Sequence, residues 1–319
     1  MSKAAEDTPS DFAFDTESAA KLPRQIRFGT STWTYPGWRG VIYKRPYRNE
    51  KEFKAHCLEE YAEIPWLSSV GIDNTFYTPP SAKQLESYAE ALPERFQWVS
   101  KVWERITIPR YPKHARYGKH AGTTNADFLN ADLFSNEVLE RYSAPPIQKR
   151  TGPFVFQFQT MGKTLLGQLH FLDTLHSFLK KLPVQFRYAV EIRDPALLGA
   201  EYFQVLNECG ATHCFNHWHL MPPLHDQMKA AAQAGGLQAP FYVSRILTPL
   251  GVKYEEAVKM FEPYRSVQRP NPEMRKDVLR LAKRAIEKDS DAFIIVNNRS
   301  EGNAPMTIDA LGRLITSEL

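Results

Sequence analysis

Eight short apolar segments, each followed by a stretch with helical patterning, recur along most of this 319-residue chain. Alternating strands and helices predict a parallel sheet, because each helix returns the chain to the same edge. Several segments are apolar at successive positions, as at residues 154–156 and 293–296, which is typical of strands covered on both faces. The eight predicted strands are residues 26–31, 71–76, 96–101, 154–158, 188–192, 212–216, 241–246 and 293–297.

Eight repeats favour closure into a barrel over a doubly wound open sheet. The dinucleotide-binding form of the open sheet has a G-x-G-x-x-G motif after its first strand, and this chain lacks the motif there. We therefore predict a single α/β domain, a (β/α)8 TIM-like barrel, over residues 23–319. Residues 105–151 and 217–240 are predicted to be long insertions after strands 3 and 6, overhanging the C-terminal face where such barrels carry their active sites.

The remaining global features concern the N-terminus and the cellular setting. Residues 1–22 have too little apolar surface to offset ordering, so we predict a disordered N-terminal tail. The acids in this segment and the absence of any long apolar run lead us to expect neither secretion nor a membrane. Cys57, Cys209 and Cys214 form no C-x-x-C pair, which suggests reduced thiols and a cytoplasmic protein. The net charge of +4 does not by itself indicate nucleic acid.

Charged and amide side chains gather at the predicted strand ends. Buried charges cost free energy unless they are paired or meet a ligand, and functional sites commonly tolerate that cost. A structural ion-pair network would give the same pattern. The set has more cations than carboxylates, which suits a small anionic or hydroxylated ligand at the C-terminal barrel face. Its members are Asp73, Lys101, Gln157, Glu191, Arg193, Arg245, Asn297 and Asn298.

Roles follow from the chemistry of these side chains. Glu191 is the candidate acid/base, and Lys101 and Arg193 are the candidate charge-stabilising catalytic groups. Three aromatic residues in the first loop would suit a stacking wall, or ordinary packing of a lid. The predicted substrate-binding residues are Trp33, Tyr35, Trp38, Asp73, Asn74, Gln157, Arg245, Asn297 and Asn298.

Two other functions remain as alternatives. A metal-assisted phosphodiesterase or nuclease could use Asp73, Glu191 and the histidines at positions 213, 217, 219 and 225, with the basic stretch 105–119 gripping nucleic acid. Histidine spacing without a fixed carboxylate partner does not define a site, so we predict no metal, no cofactor and at most weak nucleic-acid binding. The other alternative is a non-catalytic binding module. We make no prediction of oligomeric state.

Five motifs together resemble those of one family. They are GTSTWTYPGW at residues 29–38, NTFY at 74–77, GPFVFQF at 152–158, AVEIR at 189–193 and NNRSEGNA at 297–304. They are similar to segments of the domain-of-unknown-function 72 (YecE-like) family, over residues 29 to about 315. The resemblance implies a (β/α)8 barrel and no established activity. Glu191 and Arg193 match the family pattern, whereas Asp73 stands where the pattern has glutamate, a shorter reach.

Overall fold

The computed structural model describes residues 12–319 and contains one eight-stranded parallel barrel. The strands are β1 (Ile26–Thr30), β2 (Ser69–Ile72), β3 (Gln97–Lys101), β4 (Thr151–Gln157), β5 (Tyr188–Glu191), β6 (Thr212–His217), β7 (Phe241–Ile246) and β8 (Asp291–Val296). Their order is β1-β8-β7-β6-β5-β4-β3-β2, and every ladder is parallel. This confirms the predicted (β/α)8 barrel.

Helices occupy the connections between strands. Within the described residues they are α1 (Thr16–Ala19), α2 (Glu50–Glu63), α3 (Ala82–Ala91), α4 (Glu104–Thr107), α5 (Ala131–Glu137), α6 (Pro145–Arg150), α7 (Gly162–Gln168), α8 (Phe171–Lys180), α9 (Ala200–Glu208), α10 (Leu224–Gln233), α11 (Tyr254–Phe261), α12 (Pro272–Glu287) and α13 (Ala304–Ser317). Short 3₁₀ helices lie at Pro36–Trp38, Asp73–Phe76, Ala115–His120, Leu139–Tyr142, Pro195–Leu197 and Asn298–Ser300.

The barrel closes between β1 and β2 by a short contact. A single bridge joins Phe28 to Leu67, and the Ser68 amide donates to the Phe28 carbonyl at 3.1 Å. The two backbones approach so closely that a Cβ on Gly29 would lie 2.5 Å from the Ser69 carbonyl oxygen. Glycine is therefore required here by close approach of another strand.

A tyrosine from α2 completes the closure. The Tyr61 hydroxyl accepts a hydrogen bond from the Thr30 amide at 2.9 Å and donates to the Ser69 carbonyl at 3.1 Å. Buried backbone polar groups are costly when unpaired, and here one side chain satisfies a group on each strand. The seam is thus part backbone ladder and part side-chain bridge.

Seven of the eight predicted strands coincide with observed strands to within about three residues, and the second differs most. Residues 71–76 were predicted as a strand, but β2 ends at Ile72 and Asp73–Phe76 forms a 3₁₀ helix. The Thr75 hydroxyl lies 2.6 Å from the Ile72 carbonyl and 2.5 Å from the Lys101 carbonyl. This local bonding turns the chain away from the sheet. Asp73 therefore stands just beyond the strand end.

The connections differ in content from one another. The predicted insertion after β3 holds α4, α5 and α6, and the one after β6 holds α10. The connection from β7 to β8, which holds α11 and α12, is nearly as long as the first and is not one of the predicted insertions. The helical patterning of its sequence is that of an ordinary connection between two strands. The division into two helices is seen only in the structure.

The barrel interior is layered. An apolar middle separates polar groups at the two ends, as in other filled α/β barrels. At the N-terminal end, Asp291 pairs with Arg27 at 3.1 Å and with Arg187 at 3.4 Å. The apolar layer consists of Val99, Val155, Ala189, Cys214, Ala239, Phe241, Val243, Phe293 and Ile295.

Part of the predicted tail lies against the barrel. Residues 1–11 fall outside the described residues, whereas α1 begins at a cap in which Asp15 accepts from the Ser18 amide at 2.9 Å. The Asp15 amide in turn donates to Asp309 of α13 at 3.1 Å. Phe12 and Phe14 pack against the core. The overall composition of the segment predicted disorder, but these two aromatic side chains contact the core.

Two further observations concern membrane-spanning helices and the cysteines. Within residues 12–319, no helix combines the length and apolarity that a membrane crossing requires. Cys57, Cys209 and Cys214 are all free thiols, and the first and last are buried.

Candidate functional site

Five charged side chains of the predicted set meet at the C-terminal end of the barrel; we call Asp73, Lys101, Glu191, Arg193 and Arg245 the mouth cluster. Glu191 ends β5 and is fully buried. Its Oε1 accepts from Arg193 Nε at 3.0 Å and Nη2 at 2.9 Å, and its Oε2 accepts from Arg245 Nη1 at 2.6 Å. Arg245 Nη2 also donates to Asp73 Oδ2 at 2.7 Å. The cluster thus ties the end of β2 to β5 and β7.

Strand alternation explains why these side chains converge. Val99, Ala189 and Val243 belong to the apolar interior, so Lys101, Glu191 and Arg245, each two residues further along its strand, face the same interior. Parallel strands place these C-terminal residues at one end of the barrel. The sequence therefore places these residues on one face of each strand, and the barrel shows that this face is the interior and brings the residues together.

Some hydrogen-bond donors beside the cluster remain unused. Gln157 is level with Glu191 in the β4–β5 ladder, and its Oε1 accepts from Arg193 Nη2 at 3.0 Å. Its Nε2 is buried and has no partner within the described part of the chain. Arg193 Nη1 makes no hydrogen bond to residues 12–319. Gln157 Nε2 is thus an unpaired buried donor, which is costly, and a ligand acceptor would relieve that cost.

Lys101 differs from the two arginines because no carboxylate of residues 12–319 lies within 4.0 Å of its ammonium. Its Nζ lies instead 3.8 Å from the centre of the Phe76 ring. Burial lowers the pKa of Lys101 to about 7; Asp73 opposes this shift, and Arg245 reinforces it. The side chain therefore changes charge near neutral pH.

The ion pairs change the role predicted for Glu191. Burial alone would raise the pKa of this carboxyl, but the charges of Arg245 and Arg193 lower it to about 2. A carboxylate that is ionised and bonded through both oxygens has no proton to give at neutral pH. The geometry favours Glu191 as an anchor for two guanidinium groups over an acid/base.

Two aromatic residues at the cluster were not among the predicted site residues. The Arg193 guanidinium lies 3.9 Å from the centre of the Trp218 ring, and Phe76 contacts Lys101 as described. Such contacts hold a cation in one orientation. Trp218 directly follows β6, and an aromatic residue just beyond a strand was the signal used for the first loop. The same signal applied to β6 would have found it.

The first-loop aromatics are mostly engaged in packing. Trp38 is buried, and its indole N–H donates to Asn298 Oδ1 at 3.1 Å. The same oxygen accepts from the Ala304 amide at 2.9 Å, at the start of α13. Trp33 is buried edge-on against Tyr88, with ring centres 4.9 Å apart. These contacts favour the packing interpretation for Trp33, Trp38 and Asn298 over ligand stacking.

The remaining predicted residues lie around a separate cavity or outside it. A cavity of about 400 Å³ lies between the first loop and the ends of β1 and β8. Its lining includes Ser31, whose buried hydroxyl has no partner within the described residues, and four of the predicted residues, Tyr35, Trp38, Asn297 and Asn298. Asn74 is exposed at the start of its 3₁₀ helix. The structure thus divides the predicted set into a charged mouth and a neighbouring aromatic cavity.

The histidines around β6 do not converge on Asp73 and Glu191. His213 faces the outer helices, between the Tyr202 hydroxyl at 2.9 Å and Gln227 at 3.0 Å. His217 Nδ1 bonds the Thr248 carbonyl at 2.7 Å. Residues 12–319 contain no group of three or more His, Cys, Asp or Glu side chains placed to hold a metal ion. The even-numbered residue Cys214 faces the interior, so odd-numbered His213 must face outward.

The basic stretch 105–119 is partly neutralised by tertiary contacts. Arg105 Nε lies 2.6 Å from Asp127, and Arg116 Nη2 lies 2.6 Å from Glu104. The acids come from outside the run, so the sequence of the run alone does not show them. The cations of this stretch without a carboxylate partner in the described chain are Arg110, Lys113 and Lys119.

Comparison with known proteins shows the same architecture. The chain is similar to the crystal structure of a DUF72 family protein from Enterococcus faecalis V583, with TM-score 0.59 and 16% identity over 92% of this chain and 95% of that one. It is also similar to a DUF72 family protein from Thermotoga maritima MSB8, with TM-score 0.57 and 16% identity over 92% and 99%. Identity this low shows the fold alone.

Two sequence comparisons complete the picture. No curated protein matches the chain. The model of the family described as "Protein of unknown function DUF72" matches residues 27–318, nearly the whole described chain. The chain therefore belongs to the DUF72 family, as its motifs led us to expect.

Proposed function

We propose that the mouth cluster binds a small anionic ligand. The observation that carries the proposal is the state of Lys101, which has no carboxylate within 4.0 Å among the described residues. Both carboxylates of the cluster are already paired, Glu191 with two guanidinium groups and Asp73 with Arg245. When Lys101 is protonated, three cations against two carboxylates leave a formal charge of +1. A bound anion would neutralise it.

Donors are available for such a ligand. Lys101 Nζ, Gln157 Nε2 and Arg193 Nη1 have no hydrogen-bond acceptor within residues 12–319. Hydrogen bonds from charged donors to an anion are about twice as strong as neutral ones. Access is by way of Asp73, whose side chain is 34% exposed, whereas that of Arg245 is 4% exposed. The ligand would lie above the guanidinium groups.

We assign a role to each member of the mouth cluster. Glu191 and Asp73 hold the guanidinium groups in place, Arg193 and Arg245 supply fixed positive charge, and Lys101 is the group able to gain or lose a proton near neutral pH. The same arrangement serves an enzyme or a binding protein. The net positive charge of the mouth cluster favours an anionic ligand over an uncharged hydroxylated one.

Isothermal titration with sulfate and with oxalate tests the proposal. Wild-type protein should bind at least one of them saturably, and Lys101→Gln should weaken binding about tenfold or more, since losing one charge-assisted contact costs about 1.5 to 3 kcal/mol. Lys54→Gln is the matched control, because Lys54 makes the same charge change on α2, where its side chain is 58% exposed. Equal effects of the two variants, or tighter binding of an uncharged polyol than of either anion, would contradict the proposal.

A further inference from the structure

We propose that the Lys101 amine forms a covalent imine with a small oxo acid bound at the mouth cluster. This inference rests on the anion site proposed above and adds a reaction and a substrate class to it. The oxo acid would supply a carboxylate for the cationic cluster and an adjacent carbonyl carbon for the amine.

The surroundings of Lys101 disfavour its charged form. The side chain is half-buried at the end of β3, and its ammonium lies 3.8 Å from the centre of the Phe76 ring, a contact that by itself favours the charged form. Like charges and burial both oppose protonation, whereas carboxylates favour it. Here the facing carboxylates are paired with guanidinium groups and lie beyond 4.0 Å. The charged groups that act on Lys101 or are acted on by it are Asp73, Glu104, Glu191, Arg193 and Arg245.

The fraction of neutral amine is the quantity that matters for nucleophilic attack. With a pKa of about 7, roughly half of Lys101 is neutral at neutral pH in the free protein, before a bound anion favours the charged form. An ordinary lysine has a pKa of about 10.4, so only about one molecule in a few thousand is neutral there. The pKa supports an inference whose geometric basis is the position of the amine in the mouth cluster, on the inward face shared with Glu191 and Arg245 and with no carboxylate of residues 12–319 within 4.0 Å.

The reaction needs only the two partners. The Lys101 nitrogen attacks the carbonyl carbon, a C–N bond forms, and the carbonyl π electrons move to oxygen, which takes a proton to give a carbinolamine. The nitrogen then gives up one proton, its lone pair forms the C=N bond, and the C–O bond breaks as the oxygen takes a second proton and leaves as water. The nitrogen finally gives up its second proton, so the two protons lost by nitrogen balance the two gained by oxygen. Carbonyl and amine are thus converted to imine and water, with no change of oxidation state.

The arginines explain why the carbonyl compound would be an acid. Arg193 Nη1 and Gln157 Nε2 have no acceptor within residues 12–319 and are the donors left for a carboxylate, and Glu191 holds Arg193 and Arg245 in fixed orientations. Arg193 is held further by Trp218. Binding the carboxylate there would present the neighbouring carbonyl to Lys101 and raise its effective concentration. A neutral aldehyde lacks this anchoring.

Reductive trapping tests the inference on the full chain. Native wild-type protein is treated with glyoxylate and cyanoborohydride at neutral pH, and peptide mass spectrometry measures the modification rate at every lysine. We expect Lys101 to be modified at least about tenfold faster than any other lysine, and glyoxylate to exceed the neutral glycolaldehyde at Lys101 by a similar factor. Labelling in denaturant should abolish both preferences. Lys54→Arg, at an exposed position, should leave the Lys101 rate unchanged.

Failure of this inference can be separated from failure of the anion site. Oxalate resembles the acid but has no electrophilic aldehyde, so its binding reports the site alone. If oxalate binds and yet Lys101 is labelled no faster than surface lysines, the imine is refuted and the anion site stands. If Lys101 is labelled equally by glycolaldehyde, the oxo-acid inference is refuted. If neither oxalate nor sulfate binds, both proposals fail.

Discussion

Arg245 Nη1 lies 2.6 Å from Glu191 Oε2 in the barrel interior, where the carboxylate is completely buried and the guanidinium is 4% exposed. Two opposite charges removed from water in this way stabilise each other, but each would be strongly destabilising alone. The pair therefore couples the integrity of the barrel to the geometry of the site. Removing one charge of this pair should lower the free energy of unfolding substantially, whereas removing one charge of an exposed pair of similar length should lower it little.

Glu191→Gln is expected to lower the free energy of unfolding by about 3 to 5 kcal/mol, because it leaves two buried guanidinium groups short of one negative charge. In a domain of this size the midpoint should fall by on the order of 10 °C. Glu59→Gln is the control: it removes the charge from a 2.7 Å pair with Arg45 whose side chains are more than two-fifths exposed. Its cost should be at most about 1 kcal/mol. Equal midpoints for the two variants, measured by thermal denaturation, would contradict the buried pair.

Sulfate binding should depend on pH through Lys101, because sulfate keeps its charge from about pH 6 to about pH 9. Protonated Lys101 favours the anion, and its pKa is about 7. The affinity for sulfate should therefore be constant well below the pKa of Lys101. It should fall as the pH rises through that pKa, by up to about tenfold per pH unit. Titration calorimetry across this range gives the profile. Lys101→Gln should show weak, flat binding and Lys101→Arg stronger, flat binding; a wild-type profile shared by Lys101→Gln would exclude Lys101 as the titrating group.

Trp218 is predicted to act through Arg193, whose guanidinium lies 3.9 Å from its ring centre. Trp218→Ala should weaken sulfate binding severalfold, as expected for loss of a cation–π contact of about 0.5 to 2 kcal/mol. Trp218→Phe keeps an aromatic face and should retain most of the affinity. Both variants are compared by titration calorimetry, with circular dichroism to establish that they are folded. Identical affinities of Trp218→Ala and wild type would show that the ring does not position Arg193.

Gly29→Ala tests the seam between β1 and β2. The added Cβ would lie 2.5 Å from the Ser69 carbonyl oxygen, so a backbone must move, and we expect a loss of about 1 to 3 kcal/mol. Gly167→Ala in α7 is the matched control, because nothing lies within 4 Å of its Cβ position. Alanine is the better helix former, so this variant should gain about 0.5 to 1 kcal/mol. Urea denaturation measures both changes, and a seam variant as stable as wild type would mean that the strands are further apart.

Duplex DNA binding should be weak and sensitive to salt. Five cations in residues 105–119 would allow a slope of log K against log salt of about −4.5, but Arg105 and Arg116 are paired with acids. The three that remain allow a slope no steeper than about −2.7. Fluorescence anisotropy at several salt concentrations gives the slope, and replacing Arg110, Lys113 and Lys119 by Ala should remove it. A steeper slope, or cleavage that requires a divalent metal, would favour the nuclease alternative.

The sequence alone determined the architecture and the position of the charged residues at the strand ends. Eight apolar segments with intervening helices fixed the strand count, and seven strands were placed to within about three residues. Side-chain alternation placed Lys101 on the face of Val99 and Glu191 on the face of Ala189, and the structure shows that this face is the barrel interior. Both properties are local, because strand pleating and helical periodicity depend on neighbouring residues. The exception was the end of β2, where Thr75 turns the chain.

Only the tertiary structure decided which charged groups meet. Arg245 and Asp73 are 172 residues apart in the chain and 2.7 Å apart in space. The partner of Arg116 is Glu104, and Lys101 has a ring beneath it in place of a carboxylate. Electrostatic energy depends on distances of a few ångströms and on burial, and these follow from strand register, barrel closure and loop contacts. The residues of the mouth were therefore readable from the sequence, whereas the anchoring of Glu191 and the unpaired state of Lys101 were not.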